Sequence, residues 1–272
     1  MNALRVAAVQ MVSADTVEAS LAQARPLVED AARQGAGLVL LPEYFGLMGA
    51  RGTDKLAVAE RDGDGVQQRF LAGLAKRLGI VIVGGCVPMG TDDPNHVRSA
   101  CLVYGEGGSR LARYDKMHLF AFSAGGENYD ESRTIAPGDA PASFELPIGR
   151  IALSICYDLR FPELYRSMGA LALILVPAAF TVPTGRAHWE LLLRARAVEN
   201  QCYVLAAAQG GMHAGGRSTF GHSMLVDPWG EIVASLPAGP GVVMGDVEAT
   251  RIAQVRAKLP ALTHRRITQC EP

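Results

Sequence analysis

A short apolar run in the middle of the chain ends abruptly in a cysteine and a polar cluster. The run covers residues 151–155, and Cys156 follows it directly. Short runs rich in β-branched residues are typical of strands in a sheet that is covered on both faces. Pro162 suits the first turn of a following helix, because its missing N–H costs nothing there. The pattern predicts a strand, a bend at Cys156 and then a helix.

Cys156 is therefore expected at the carboxyl end of a strand, which is where open α/β folds bind ligands. The positive end of the following helix is expected to favour its thiolate. A lone cysteine at a strand end is more often a packing residue, because free cysteines are commonly buried and inert. Packing, however, does not require the polar residues Asp158, Arg160 and Glu163 immediately downstream. The segment as a whole indicates a reactive thiol.

Charge and cysteine content narrow the class of protein. The chain has 272 residues, a formal net charge of −1 and five cysteines. This charge gives no reason to expect nucleic acid or an anionic membrane surface as a partner. No apolar run is long enough for a membrane span, and the first residues do not resemble a signal peptide. An odd number of cysteines without a CxxC pair argues against disulfides and structural zinc, so a cytoplasmic enzyme is expected.

Predicted strands and helices alternate through both halves of the chain. The helices with the clearest apolar spacing are predicted at 17–34, 66–78 and 188–200. Residues 121–142 and 178–186 are predicted as loops, and the longer of them as a lid over a site. Without a linker or a repeat, we expect a single domain over residues 1–272, with helices outside two sheets.

Three reactive side chains follow three of the predicted strands: Glu43, Lys116 and Cys156. Taken singly, each has an ordinary explanation, such as a helix-terminal carboxylate or a solvated lysine. Together they are the groups required for acyl transfer, with a thiol nucleophile, a carboxylate base and a cation for the oxyanion. The backbone N–H of Tyr157 is the expected second oxyanion donor. His118 is an alternative base, although a structural role is the more common one for a lone histidine.

The segments around these residues resemble the three signatures of the nitrilase superfamily of carbon–nitrogen hydrolases. They are Leu41-Pro-Glu43, Tyr114-Asp-Lys116 and Cys156-Tyr-Asp-Leu-Arg-Phe-Pro-Glu163, in the family's order. The resemblance implies a four-layer α-β-β-α sandwich, no metal or organic cofactor, and a homodimer that pairs through helices. It also implies that Glu43 is the base, Lys116 the oxyanion lysine and Cys156 the nucleophile. Glu127 matches a second glutamate that orients this triad in many members.

Segments in the last third of the chain are similar to one branch of that family. They cover residues 180–190, 192–209 and 221–230. The similarity implies an amidase that hydrolyses deaminated glutathione to 2-oxoglutarate and Cys-Gly. An ω-amidase acting on 2-oxoglutaramate shares the triad and stays open, as does a catalytically quiet dimeric scaffold of the same fold.

The implied substrate is a small amide with a carboxylate at each end, so a cationic or polar binding site is expected. Arg160 is predicted to lie close to the site, and Thr181 and Tyr157 to line it. The loops at 121–129 and 210–220 are expected to decide between the two amide substrates.

Overall fold

The structure is a computed structural model that describes residues 2–124 and 127–267, with only the backbone described at 124, 127 and 128. The helices are α1 Val17–Arg33, α2 Val66–Leu78, α3 Pro162–Ser167, α4 Val182–Asn200 and α5 Ala249–Lys258. The strands are β1 Ala3–Gln10, β2 Leu38–Leu40, β3 Val81–Gly90, β4 Val97–Tyr104, β5 Arg110–Asp115, β6 Ala121–Ala124, β7 Glu127–Asp130, β8 Ser143–Leu146, β9 Gly149–Leu153, β10 Leu173–Ala178, β11 Tyr203–Ala208, β12 Gly210–Met212, β13 Ser218–Phe220, β14 Ser223–Val226, β15 Ile232–Leu236 and β16 Gly241–Glu248.

Two six-stranded sheets form the centre of the molecule. The first has the order β16-β1-β2-β3-β4-β5 and the second β15-β14-β11-β10-β9-β8. In each sheet three neighbouring strands are parallel, β1-β2-β3 in one and β9-β10-β11 in the other, and the remaining pairings are antiparallel. Each sheet therefore presents the carboxyl ends of parallel strands at one edge.

Alternation along the central strands places apolar side chains on both faces of the sheets. In β1, Val6 and Ala8 pack in the core shared with the second sheet, whereas Ala7 and Val9 pack against α1 and α2. Successive side chains of a strand point to opposite faces, so a strand buried on both sides reads as a continuous apolar run. With α4 covering the outer face of the second sheet, the layers are helix, sheet, sheet, helix, and the predicted sandwich is confirmed.

Two predicted loops are wrong in part. Residues 121–130 include the hairpin β6–β7, which is followed by a short 3-10 turn at Glu131–Arg133. Helix α4 begins at Val182, inside the segment predicted as a loop from its glycine and prolines. Pro183 is tolerated in a first helical turn. Gly185 permits close packing, because a Cβ there would lie 2.3 Å from Cγ of Phe220.

In the ranges that the structure describes, no helix is both long and apolar enough to cross a membrane.

Candidate active site

Lys116 follows β5 and lies between two carboxylates. Its Nζ is 2.8 Å from Oε1 of Glu43 and 2.8 Å from Oε2 of Glu131. Lys116 and Glu43 are each only 1% exposed. Burial lowers the pKa of Lys116, but the charges of Glu131 and Glu43 outweigh it and hold that pKa well above its usual value. The two carboxylates therefore favour the charged form of Lys116 at the centre of the site.

Glu131 is a site residue that the sequence interpretation missed. Besides Lys116, its carboxylate accepts hydrogen bonds from the Tyr44 hydroxyl at 2.9 Å and the Phe120 N–H at 2.8 Å. Burial raises the pKa of Glu131, but Lys116 and these donors together lower it by more than burial raises it. The net shift of the pKa is therefore downward. Glu127, the predicted second glutamate, begins β7, but its side chain lies outside the described part of the structure.

Hairpin pairing explains why Glu131 reaches Lys116. Ala121 pairs with Asp130 across β6–β7, and the Glu131 N–H donates to the Phe120 carbonyl at 3.0 Å. The chain therefore returns to the segment just after Lys116. Only a prediction of this hairpin and its register could have found Glu131 from the sequence.

Cys156 lies three residues after β9 ends at Leu153, where a 3-10 turn over Cys156–Arg160 begins. Its φ is +50°, an unfavourable value for a residue with a side chain. Burial and the negative charge of Glu43 raise the pKa of the thiol well above its usual value, although Lys116 and the Ala179 N–H oppose this. The sequence predicts that the helix terminus favours the thiolate, but burial and the Glu43 charge make the net shift of the Cys156 pKa upward.

Asp158 holds this turn in place. Its buried carboxylate accepts from the Ile155 N–H at 2.8 Å and the Tyr114 hydroxyl at 2.9 Å. It also lies 2.7 Å from Nδ1 of His118, whose ring stacks on Phe161 with the centroids 3.7 Å apart. Asp158 thus connects the Cys156 turn to the segment around Lys116. His118, the alternative base, is engaged in this network.

The turn that carries Glu43 follows β2 and is held from the opposite sheet. Nε2 of Gln209, just beyond β11, donates to the Glu43 carbonyl at 3.0 Å. The next residue, Tyr44, has a φ of +59°, and its N–H lies 3.2 Å from Sγ of Cys86. Gly85 makes room for this turn, since a Cβ there would lie 2.3 Å from the Pro42 carbonyl oxygen.

A small cleft exposes the thiol and the carboxylates to a ligand. Its walls include Glu43, Glu131 and Cys156, together with the predicted binding residues Tyr157, Arg160 and Thr181. The guanidinium of Arg160 lies over the rings of Tyr157 and Phe180, 5.8 Å and 5.6 Å from their centroids. The sequence interpretation did not single out Thr184 and Arg217, which also line the cleft.

The arrangement supplies a thiol and a carboxylate on the wall of one cleft, and a buried ammonium paired with that carboxylate. These are the groups for acyl transfer. Of the other cysteines, Cys86 and Cys202 are fully enclosed, and burial raises the pKa of each thiol to about 12. Among residues 2–124 and 127–267, no cluster of His, Cys, Asp or Glu is placed to hold a metal ion.

Comparison with known proteins places this fold and site in one class. The carbon–nitrogen hydrolase family profile matches residues 5–257. The chain therefore belongs to the carbon–nitrogen hydrolase family, and the resemblance to the nitrilase superfamily is confirmed. It is a hydrolase of carbon–nitrogen bonds.

Particular relatives define its position more closely. The chain is 40% identical to deaminated glutathione amidase of Synechocystis, over 97% of this chain and 99% of the relative. It is 35% identical to the omega-amidase of Homo sapiens, over 98% of this chain and 96% of the relative. Among solved structures, the NitFhit protein of C. elegans superposes with a TM-score of 0.89 at 36% identity, covering 98% of this chain and 66% of that longer one.

Proposed function

We propose that the protein is an amidase that hydrolyses deaminated glutathione to 2-oxoglutarate and Cys-Gly. The proposal rests on the Lys116 ammonium, which is fixed between two carboxylates that line the same cleft as Cys156. The 40% identity to a deaminated glutathione amidase over almost the whole chain supports this substrate.

In the proposed reaction, Sγ of Cys156 attacks the amide carbonyl while its proton passes to Glu43. Lys116 and the N–H of Tyr157 stabilise the oxyanion that forms. The C–N bond then breaks, and the leaving nitrogen takes the proton from Glu43. A water molecule, deprotonated by Glu43, attacks the resulting thioester. The acid leaves, and the proton returns to the Cys156 sulfur.

The high pKa of the Cys156 thiol fits this sequence of steps. A nucleophile that stays protonated at neutral pH requires a base at the moment of attack, and Glu43 lines the same cleft. Glu131 is the proposed second glutamate, since it pairs with Lys116 and keeps that side chain in position. The earlier assignment of this role to Glu127 stays a prediction.

Arg160 and Thr181 are proposed to bind the keto-acid end of the substrate. Both lie on the cleft wall beside Tyr157, and a guanidinium matches a carboxylate in charge and in hydrogen-bond geometry. This end is common to deaminated glutathione and 2-oxoglutaramate. The similarity to omega-amidases therefore keeps 2-oxoglutaramate as the second candidate substrate.

We further propose a cytoplasmic homodimer, in which each chain is one catalytic domain and no nucleic acid is bound. Leu191 and Val198 of α4 are 67% and 47% exposed, and the neighbouring Trp229 is 49% exposed. Arg194 donates to the Gly230 carbonyl at 2.8 Å, which brings the Trp229 segment next to α4. Large apolar side chains gathered on one helix are typical of a subunit interface.

The decisive experiment measures kcat/KM for deaminated glutathione and for 2-oxoglutaramate with the wild-type protein and the Cys156→Ala variant. We expect a large preference for deaminated glutathione, and a loss of at least about 10⁴-fold in Cys156→Ala. Preference for 2-oxoglutaramate would assign the protein as an ω-amidase. Amidase activity comparable to wild type in Cys156→Ala would contradict the mechanism. If the wild type turned over neither amide, the scaffold alternative would gain support.

A further inference from the structure

A second cavity opens beside the catalytic cleft and shares Arg217 with it. This outer pocket has a volume of about 330 Å³ and is lined by Tyr44, Met48, Lys55, Tyr129, Arg217 and the glycine-containing segments 49–52 and 215–216. The proposed reaction uses none of its cations. A cavity of this size can hold a substantial part of a substrate.

Arg217 lies where the two cavities meet. Its guanidinium is 5.8 Å from the ring centroid of Tyr44 and 5.2 Å from that of Tyr129. Its Nη2 lies 3.4 Å from the Ala179 carbonyl, at the limit of a hydrogen bond, and Ala179 also donates its N–H to Sγ of Cys156. Within the described part of the chain, the buried Nε of Arg217 has no hydrogen-bond partner. A buried donor left without a partner is costly, and an incoming anion removes that cost.

Lys55 adds a second positive charge to the same pocket. Its Nζ donates to Oγ1 of Thr134 at 3.1 Å and lies 6.0 Å from the ring centroid of Tyr44. Burial disfavours the charged form of Lys55 and lowers its pKa. An anion bound nearby would favour the charged form again. Lys55 and Arg217 thus approach the Tyr44 ring together.

The position of Glu43 decides which half of the substrate enters this pocket. In the proposed reaction Glu43 gives its proton to the leaving nitrogen, so that nitrogen departs on the Glu43 side of Cys156. The adjacent residue, Tyr44, lines the outer pocket. Arg160 lies in the wall of the catalytic cleft and is absent from the lining of the outer pocket. The keto-acid half therefore lies towards Arg160, and the leaving group extends towards Arg217.

We propose that the outer pocket binds the leaving amine of the substrate, with Arg217 and Lys55 contacting a carboxylate on that amine. This inference rests on the proposed amidase function and extends it. It defines the substrate class as amides whose amine carries a carboxylate, as in a dipeptide. An amide that releases only ammonia leaves this pocket empty, so these two cations favour deaminated glutathione over 2-oxoglutaramate.

The test pairs two substrates with two forms of the enzyme. One substrate is deaminated glutathione, and the other is the same molecule with its glycine carboxylate replaced by a carboxamide. For the wild type we expect kcat/KM to fall about 10- to 100-fold on this replacement, mainly through KM. For Arg217→Gln we expect kcat/KM for deaminated glutathione to be lower than the wild-type value by a similar factor. The carboxamide should then lower kcat/KM of this variant by less than about a further threefold.

Controls separate this inference from the proposed function. Arg33→Gln, an exposed arginine on α1, should reproduce the wild-type discrimination, and Lys55→Gln should lose part of it. Arg217→Lys keeps a charge and covers the case in which Arg217→Gln does not fold. Equal wild-type rates on the two substrates, or equal discrimination by wild type and Arg217→Gln, would overturn the inference. Absence of wild-type turnover of deaminated glutathione would instead contradict the proposed function.

Discussion

The turn after β2 and the turn after β9 each present a reactive residue, but they are held in different ways. Each follows a strand that has a parallel neighbour, and each places a reactive residue three positions beyond the strand end: Glu43 in one and Cys156 in the other. Each also contains a residue with a side chain at positive φ, +59° at Tyr44 and +50° at Cys156. Conformations of this kind cost on the order of 1 kcal/mol and persist only where the surroundings hold them.

The two turns differ in what holds them. In the β2 turn the reactive group itself is held, because the Glu43 carboxylate pairs with Lys116. In the β9 turn a neighbour is held, because Asp158 accepts the hydrogen bonds and leaves the Cys156 side chain facing the cleft. The proposed base, Glu43, is buried, and a nearby cation favours its charged form. A proposed nucleophile has to form a bond to substrate, so its position is fixed through the backbone.

Removing the charge of Glu43 should change activity more than any other substitution in these two turns. In Glu43→Gln we expect kcat/KM to fall about 10²- to 10⁴-fold, the range for loss of a general base. The pKa of the Cys156 thiol should also fall, since the Glu43 charge raises it. Thiolate absorbance during a pH titration measures this second effect. Glu163→Gln, an exposed carboxylate on α3, is the matched control. An unchanged thiol pKa would show that the two turns are electrostatically independent.

Asp158→Asn should weaken the β9 turn while leaving the β2 turn intact. The amide keeps one acceptor oxygen but replaces the other with a donor, so bonds from Ile155 and Tyr114 or from His118 are lost. We expect about 2–3 kcal/mol less stability and a 10- to 100-fold lower kcat. Urea unfolding and steady-state kinetics measure both, with Asp92→Asn as the exposed control. Full activity with reduced stability would show that the Cys156 turn does not need this support.

Glu131→Gln tests the second carboxylate on Lys116 and predicts a pH effect. The folded-state pKa of Glu131 is lowered, so at pH values between the folded and unfolded pKa the unfolded chain binds more protons. Its stabilisation is therefore fully present above the ordinary glutamate pKa of about 4.3 and is lost as the pH falls below it. The variant should show a shallower fall in unfolding free energy between about pH 5 and pH 3 than wild type.

The measurement is urea unfolding at a series of pH values, with Glu106→Gln as the exposed control. If the unfolding free energy changed with pH by the same slope in wild type and in Glu131→Gln, Glu131 would contribute nothing to the pH dependence of stability. We also expect a roughly tenfold lower kcat/KM in Glu131→Gln, because Lys116 keeps its partner Glu43 but loses one of its two anchors.

Tyr44→Phe should have the smallest effect. It removes one hydroxyl that donates to Glu131 and leaves the positive-φ backbone of the β2 turn in place. Loss of this hydrogen bond to a charged group should lower stability by about 1–2 kcal/mol and change kcat/KM by a few fold. Tyr104→Phe is the matched control. A loss as large as that of Glu43→Gln would mean that the hydroxyl itself takes part in the reaction.

Much of the fold and of the candidate site is predictable because the decisive signals are local. The apolar runs before Glu43 and Cys156 identify buried strands, and parallel strands place their carboxyl ends at the same edge of a sheet. The motifs around Glu43, Lys116 and Cys156 also occur along the chain in the order that the family shows. Helix α4 is partly missed at its start, because the close packing of Gly185 on Phe220 is invisible in a local pattern.

Local residue patterns are enough to predict the alternation of strands and helices, the family and the three strand ends that carry reactive groups. Those patterns do not predict the contact between Glu131 and Lys116. The tertiary structure brings the two side chains together, because their contact depends on the register of the β6–β7 hairpin. It also decided that the Cys156 thiol has a raised pKa, because burial and the distance to Glu43 are properties of the packed molecule. Arg217 became significant for the same reason, since its place between two cavities is set by segments far apart in the chain.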